Sequence, residues 1–143
     1  MSETVFEAIR REVKNEPFAR KMGLELEALD KGYSLVKMKF TSDMENIFGM
    51  AHGGAIFSLI DEAFETASNS HGSMAVALNM NTTYLAPPSP GDTLVAEAKE
   101  INRTNRTANY YITVKNQAGE LLATCQALVY RKKESLPFLS EES

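Results

Sequence analysis

"GGAIFSLIDEAFETASNS", residues 53–70, decides how the rest of the chain is read. On a helical wheel of 100° per residue, Ile56, Leu59, Ile60, Ala63, Phe64 and Ala67 share one broad apolar face, which predicts a helix over about 53–70. It is the longest strongly periodic helical segment in the sequence, and most of what surrounds it reads as strand. Upstream, Leu24, Leu26 and Ala28 alternate, "DKG" at 30–32 makes a turn, and Val36, Met38 and Phe40 alternate again, which is a hairpin. Downstream, four strands are expected. The first covers 74–85, with Val76, Leu78 and Met80 on one face and Asn79 and Asn81 on the other. The second is 93–101, and the third is 107–115 with Tyr110, Ile112 and Val114 together. In the fourth, 120–130, Leu121, Ala123, Cys125, Ala127 and Val129 alternate. The prolines and glycine of "APPSPGD" break the ladder after the first of these. One short helix, at about 4–14, precedes the hairpin and opens on the capping-box pair Thr4 and Glu7. It ends before Pro17, and Phe18 and Met22 suggest that the next turn also packs inward. The tail, about 132–143, reads as charged and frayed. Strands joined by short turns are antiparallel neighbours. The expectation is therefore one α+β domain over 1–143, an antiparallel sheet of about six strands curled around one long central helix.

Composition narrows the function. At 143 residues and 43% hydrophobic, the chain has enough apolar surface for one sizeable core. A net charge of -4 argues against nucleic acid or an anionic membrane as partner. The single cysteine, Cys125, excludes an internal disulfide and fits a reducing cytoplasm. Its alternating apolar strand marks it as a buried small hydrophobe. Two histidines and one cysteine leave a structural zinc site short of ligands, so no metal is expected. The first residues carry acids without an apolar core, unlike a signal peptide, and no stretch approaches the ~20 apolar residues of a membrane span. Nucleotide-binding glycine loops and the G-x-S-x-G elbow are both absent from the sequence.

What remains is the block His52-Gly53-Gly54, the helix, and its acids. A helix N-terminus presents unpaired N–H groups and partial positive charge, and glycine lets a ligand come close to them. Such donors can hold an anion or the developing oxyanion of an acyl transfer. The alternative is that Gly53 and Gly54 only permit a tight turn. The three acids separate by geometry: with Ile56 at 0°, Asp61 falls near 140°, Glu65 near 180° and Glu62 near 240°. Asp61 borders the apolar face and is a poor helix-interior residue, so it needs a reason to be there. Glu62 and Glu65 read as surface charges. Eight residues separate Gly53 from Asp61, about 12 Å along one helix axis. One carbonyl cannot easily meet both from a single helix, so if both act, a two-fold pair of subunits supplies one each.

"NIFGMAHGGAIFSLIDEAF" followed by "NMNTTYLAPPSPGD" strongly resembles the hotdog-fold acyl-CoA thioesterases of the phenylacetate-degradation (PaaI-like) group, across about residues 17–131. The resemblance implies dimers with a continuous double sheet, often paired into tetramers, and coenzyme A as part of the substrate rather than as a cofactor. It also implies that Asp61 is nucleophile or general base of thioester hydrolysis and that the Gly53 N–H, with Gly54 beside it, polarises the carbonyl. Asn46 would orient the water or the carboxylate, and His52 would hold the loop or contact the thioester side. Where some relatives place a Ser or Thr on the strand after the helix, this chain has Asn79, with Asn81 nearby. Arg103 and Arg106 in "NRTNRT" are candidates for the CoA phosphates. Phe48, Met50, Phe57, Phe64, Met80 and Tyr84 are candidate walls for an aryl, hydroxyphenylacetyl or medium-chain acyl group. Two other readings stay open: a hotdog dehydratase using a His52–Asp61 pair on a 3-hydroxyacyl thioester, and a non-catalytic acyl-CoA-binding module.

Overall fold

The computed structural model describes residues 3–139. In chain order the elements are α1 (Val5–Asn15), α2 (Pro17–Met22), β1 (Glu25–Asp30), β2 (Tyr33–Lys39), α3 (Gly53–Asn69), β3 (Ser73–Tyr84), β4 (Thr93–Arg103), β5 (Thr107–Lys115) and β6 (Leu121–Ser135). The strands form one antiparallel sheet in the order β1-β2-β4-β5-β6-β3. Helix α3 joins β2 to β3 at the far edge and touches all six strands. Six flat strands at ~4.8 Å spacing span about 24 Å, wider than a helix of ~10–12 Å diameter, so the sheet must curl around α3. The expected face does the packing: Ile56, Leu59, Ile60, Ala63, Phe64 and Ala67 are each at most 3% exposed. Phe64 meets Tyr110 edge-on with ring centroids 5.7 Å apart, and the buried Ser34 hydroxyl donates to the Ala63 carbonyl at 2.6 Å. Cys125 is buried as expected. No described helix is long and apolar enough to cross a membrane.

Three readings are corrected. In β1 the register slips between Leu26 and Ala28, so Leu29, not Ala28, is the buried residue. In β3 it slips between Ala77 and Asn79. Leu78 is the extra residue, and Met80, Thr82 and Tyr84 then oppose Ala127, Cys125 and Ala123, on the face of Ala77 rather than of Val76. An inserted residue inverts strict alternation, which no period-two reading anticipates. The C-terminal reading fails for 132–139. β6 runs on to Ser135, Leu136 is buried with its N–H donating to Gly72, and the Arg11 guanidinium donates to the Phe138 carbonyl at 2.9 Å. Charge reports on side-chain solvation, whereas strand pairing uses only the backbone. Residues 140–143 of that tail lie outside the described residues. At the other end, Pro17 does more than stop α1, because it opens α2 at the first helical position, where a missing N–H costs nothing.

The "APPSPGD" turn is tied down by Asp92, whose carboxylate accepts the Ser89 N–H and the Gln117 amide, both at 2.9 Å. The Ser89 bond first and the Gln117 bond second hold its carboxyl below the usual range. A lowered folded-state value means stability that is complete above the unfolded carboxylate pKa of roughly 3.9 and is lost as pH falls through the folded value. Asp92→Asn should therefore lower the melting temperature at pH 7, and the gap to wild type should close toward pH 3 in thermal unfolding followed by circular dichroism.

Candidate active site

Helix α3 starts with an open donor. His52 is its N-cap, and its Nδ1 accepts the Gly54 N–H at 2.8 Å, which requires the ring proton on Nε2. A Cβ on Gly54 would lie 2.9 Å from that Nδ1, so the second glycine makes room for the cap. The Tyr84 hydroxyl donates to the Gly53 carbonyl at 3.1 Å, and a Cβ on Gly53 would approach the Tyr84 ring to 3.2 Å. The Ala55 N–H donates to the His52 carbonyl, whereas the Gly53 N–H finds no acceptor among the described residues. The loop before the helix is shaped by Asn46. Its Oδ1 accepts the Phe48 and Met50 N–H groups at 2.9 and 3.1 Å, and its Nδ2 donates to the Ala51 carbonyl at 3.4 Å. Asn46 therefore builds the loop, a local role its position in the motif does not disclose.

Asp61 lines a cavity of about 300 Å³ together with Glu16, Phe18, Ser58, Glu62 and Glu65. Its carboxylate accepts no hydrogen bond among the described residues. Loss of water around it, and then the charge of Glu16, raise its carboxyl above the usual range. The surface reading of Glu62 is overturned, because Glu62 is 4% exposed while Asp61 and Glu65 are exposed. A wheel marks the side of a helix that avoids the sheet, and here the α1–α2 junction covers that side with Glu16. Burial first, and then the neighbouring acids, push the Glu62 carboxyl well up; burial also leads in raising Glu65.

Other candidates fall elsewhere within one protomer. Asn81 donates to Asn79 at 2.5 Å, both opposing outer-face positions of β6, and neither lines the Asp61 cavity. Arg103 pairs with Glu100 at 3.4 Å, and Arg106 sits in the β4–β5 loop. Thr107 pairs with Tyr130, whereas Tyr84, beside Gly53, pairs with Ala123. That interval along β6 is roughly 23 Å at 3.3 Å per residue, so both arginines lie at the opposite end of the sheet from Gly53. Among the expected walls, Phe64 lines the Asp61 cavity, but Phe48 and Met50 are exposed on the loop. Sequence reasoning missed the adjoining cavity of about 520 Å³, walled by Ile9, Val13, Met74, Val76, Leu136 and Phe138. Its walls come from both ends of the chain, and no local pattern announces that meeting.

The thioesterase superfamily model matches residues 48–123, from the Asn46 loop through α3 and into β6. The chain belongs to the thioesterase superfamily. It is a hotdog-fold thioester hydrolase of the PaaI-like group. The acyl-coenzyme A thioesterase PaaI of Escherichia coli is 33% identical over 92% of this chain and 94% of its own length. Its structure superposes with a TM-score of 0.84, covering 92% of this chain and 99% of that one. A putative esterase of Archaeoglobus fulgidus is 41% identical over 87% of this chain and 80% of its own. A Streptococcus mutans protein solved with acetyl CoA is 27% identical, with a TM-score of 0.75 over 79% of this chain and 91% of its own. The six-stranded sheet around α3 is thus the hotdog arrangement, and the thioesterase carries its signature block at the start of the wrapped helix.

Proposed function

We propose that this thioesterase hydrolyses acyl-CoA to free acid and coenzyme A in the cytoplasm, within a homodimer or a dimer of dimers. The observation that carries the reading is the Gly53 N–H at the start of α3, two turns before an Asp61 carboxylate that opens into a cavity, neither of them hydrogen-bonded among the described residues. The Gly53 N–H donates to the thioester oxygen. In one course Asp61 takes a proton from water as the water oxygen adds to the carbonyl carbon, and the C–S bond breaks with the thiolate gaining that proton. In the other, Asp61 itself adds, the C–S bond breaks with the thiolate protonated by solvent, and water then cleaves the Asp61 anhydride to free acid and restored carboxylate. His52 and Asn46 are positioning residues, one capping the helix and one shaping the loop. The two-subunit site follows from the separation of about 12 Å along α3. A dimer is supported by β3, an edge strand of 12 residues with Leu78 57% exposed, since a long open apolar edge calls for a partner. Asn79 and Asn81 on that strand, and the distant Arg103 and Arg106, would reach substrate or its CoA phosphates only across a subunit boundary.

The acetyl-CoA-bound relative and PaaI support CoA thioesters as the substrate class. The test is thiol release from a panel of aryl-, hydroxyphenylacetyl- and medium-chain acyl-CoA, run beside hydration of an enoyl-CoA. Release of CoA at catalytic rates from at least one member is expected. Hydration without thiol release would make the protein a dehydratase, against which stands the engagement of His52 Nδ1 with Gly54 rather than with Asp61. Tight acyl-CoA binding with no thiol released would make it a binding module.

A further inference from the structure

Glu62 and Glu65 stand one turn apart on α3, and Glu16 joins α1 to α2 as C-cap of one and N-cap of the other. Each offers one carboxylate oxygen within 4.8 Å of the other two. Glu62 is 4% exposed, and its Oε2 is buried without a hydrogen-bond partner. Asp61 lines the same cavity, and Glu12 lines the adjoining one, which shares Glu16 and Glu65. Among the described residues no Lys, Arg or His lines either cavity. Glu12 is paired with Arg11 at 2.9 Å, but the four acids of the Asp61 cavity face it without one basic side chain, which leaves the cluster uncompensated. A buried carboxylate is retained in proteins when it is paired or bound to metal.

We propose that Glu16, Glu62 and Glu65 form a binding site for a hard divalent cation of calcium size, which ties the α1–α2 junction to the central helix. An all-oxygen donor set selects hard cations over zinc or copper. Size separates them further. Oxygens on opposite sides of Ca²⁺ are roughly 4.6–5.2 Å apart, and on opposite sides of Mg²⁺ about 4.0–4.2 Å. The three oxygens lie within 4.8 Å of one another, inside the span of a Ca²⁺ shell, and three protein carboxylates are more than Mg²⁺, which keeps several waters, usually takes. Three carboxylates supply up to six oxygens, and water can complete the shell. The shortage of histidine and cysteine that excludes a structural zinc speaks only to nitrogen and sulfur ligands. Glu62 and Glu65 are three apart in sequence, but Glu16 reaches them through the fold. The site does not depend on the thioesterase mechanism.

The rival is three carboxylates sharing protons, with no affinity for metal. The test uses the full chain stripped with EDTA, titrated calorimetrically with CaCl2 and with MgCl2, and melted with and without each salt. Expected are one Ca²⁺ per chain, weaker Mg²⁺, and a melting temperature several degrees higher at saturating Ca²⁺. Glu16→Gln and, separately, Glu65→Gln should each weaken Ca²⁺ by about tenfold or more, since affinity follows ligand charge count. Neither is buried like Glu62, so both variants should keep the wild-type circular dichroism spectrum. No heat and no melting shift with either salt overturns the site, as does unchanged Ca²⁺ affinity in both variants. Mg²⁺ binding tighter than Ca²⁺ overturns the size assignment.

Discussion

Asp61→Asn should lower kcat for CoA release by roughly a hundred- to ten-thousand-fold, the span that a positioned proton acceptor supplies. KM should move little, because the exchange keeps the volume of the side chain and removes only its charge. The loss would then appear equally in kcat and kcat/KM, the pattern of an interaction made only in the transition state. The fold should survive intact. The carboxylate accepts no hydrogen bond among the described residues, and loss of water around it, and then repulsion by Glu16, raise its proton affinity, so the charge is a cost to the folded chain rather than a support. A melting temperature at or slightly above wild type is expected, measured on the same preparation as the kinetics. Near-normal turnover by Asp61→Asn would sink the assignment.

The course of α3 is legible in the sequence, because a 3.6-residue period survives whatever packs around the helix, and the angle of Asp61 on the same wheel is what nominates it for substitution. The order of strands is legible for a similar reason: turn residues and period-two runs are local. What escapes is whatever needs a second element or an added residue. Glu62 reads as surface because a wheel does not reveal that the α1–α2 junction will lie over it. Val76 and Met80 read as neighbours on one face because a bulge at Leu78 leaves no mark in the pattern. The tail reads as frayed from its charges, while its pairing is a backbone property. The resemblance offers Arg103 and Arg106 for the CoA phosphates, and it is only the strand registers that put them, within one protomer, at the far end of the sheet from Gly53. For Asn46 the structure adds a local role that the motif does not disclose, since its amide spans the loop that sets Gly53.

Gly53→Pro should remove the oxyanion donor while leaving the helix standing. Residue 53 is the first of α3, where proline is favoured, and His52 has φ -74° and ψ 128°, the extended conformation that a residue before proline adopts. The lost N–H serves no hydrogen bond among the described residues, so its removal should cost chemistry and not fold. Loss of one such donor lowers kcat by about 10²–10³-fold. Gly53→Ala is the control, since it brings the same Cβ to 3.2 Å from the Tyr84 ring yet keeps the N–H. It should lose far less. Mixing then tests where the second half of the site resides. Gly53→Pro and Asp61→Asn chains, each nearly inactive alone, are co-expressed in equal amounts. If each site takes Gly53 from one subunit and Asp61 from the other, half the dimers are mixed and each mixed dimer has one intact site. The preparation should recover about a quarter of wild-type activity. If one chain supplies both groups, every site in the mixture lacks one of them and no activity returns. Recovery near a quarter, with Gly53→Ala well above Gly53→Pro, would make the start of α3 and its Asp61 two halves of a site that closes only across the dimer.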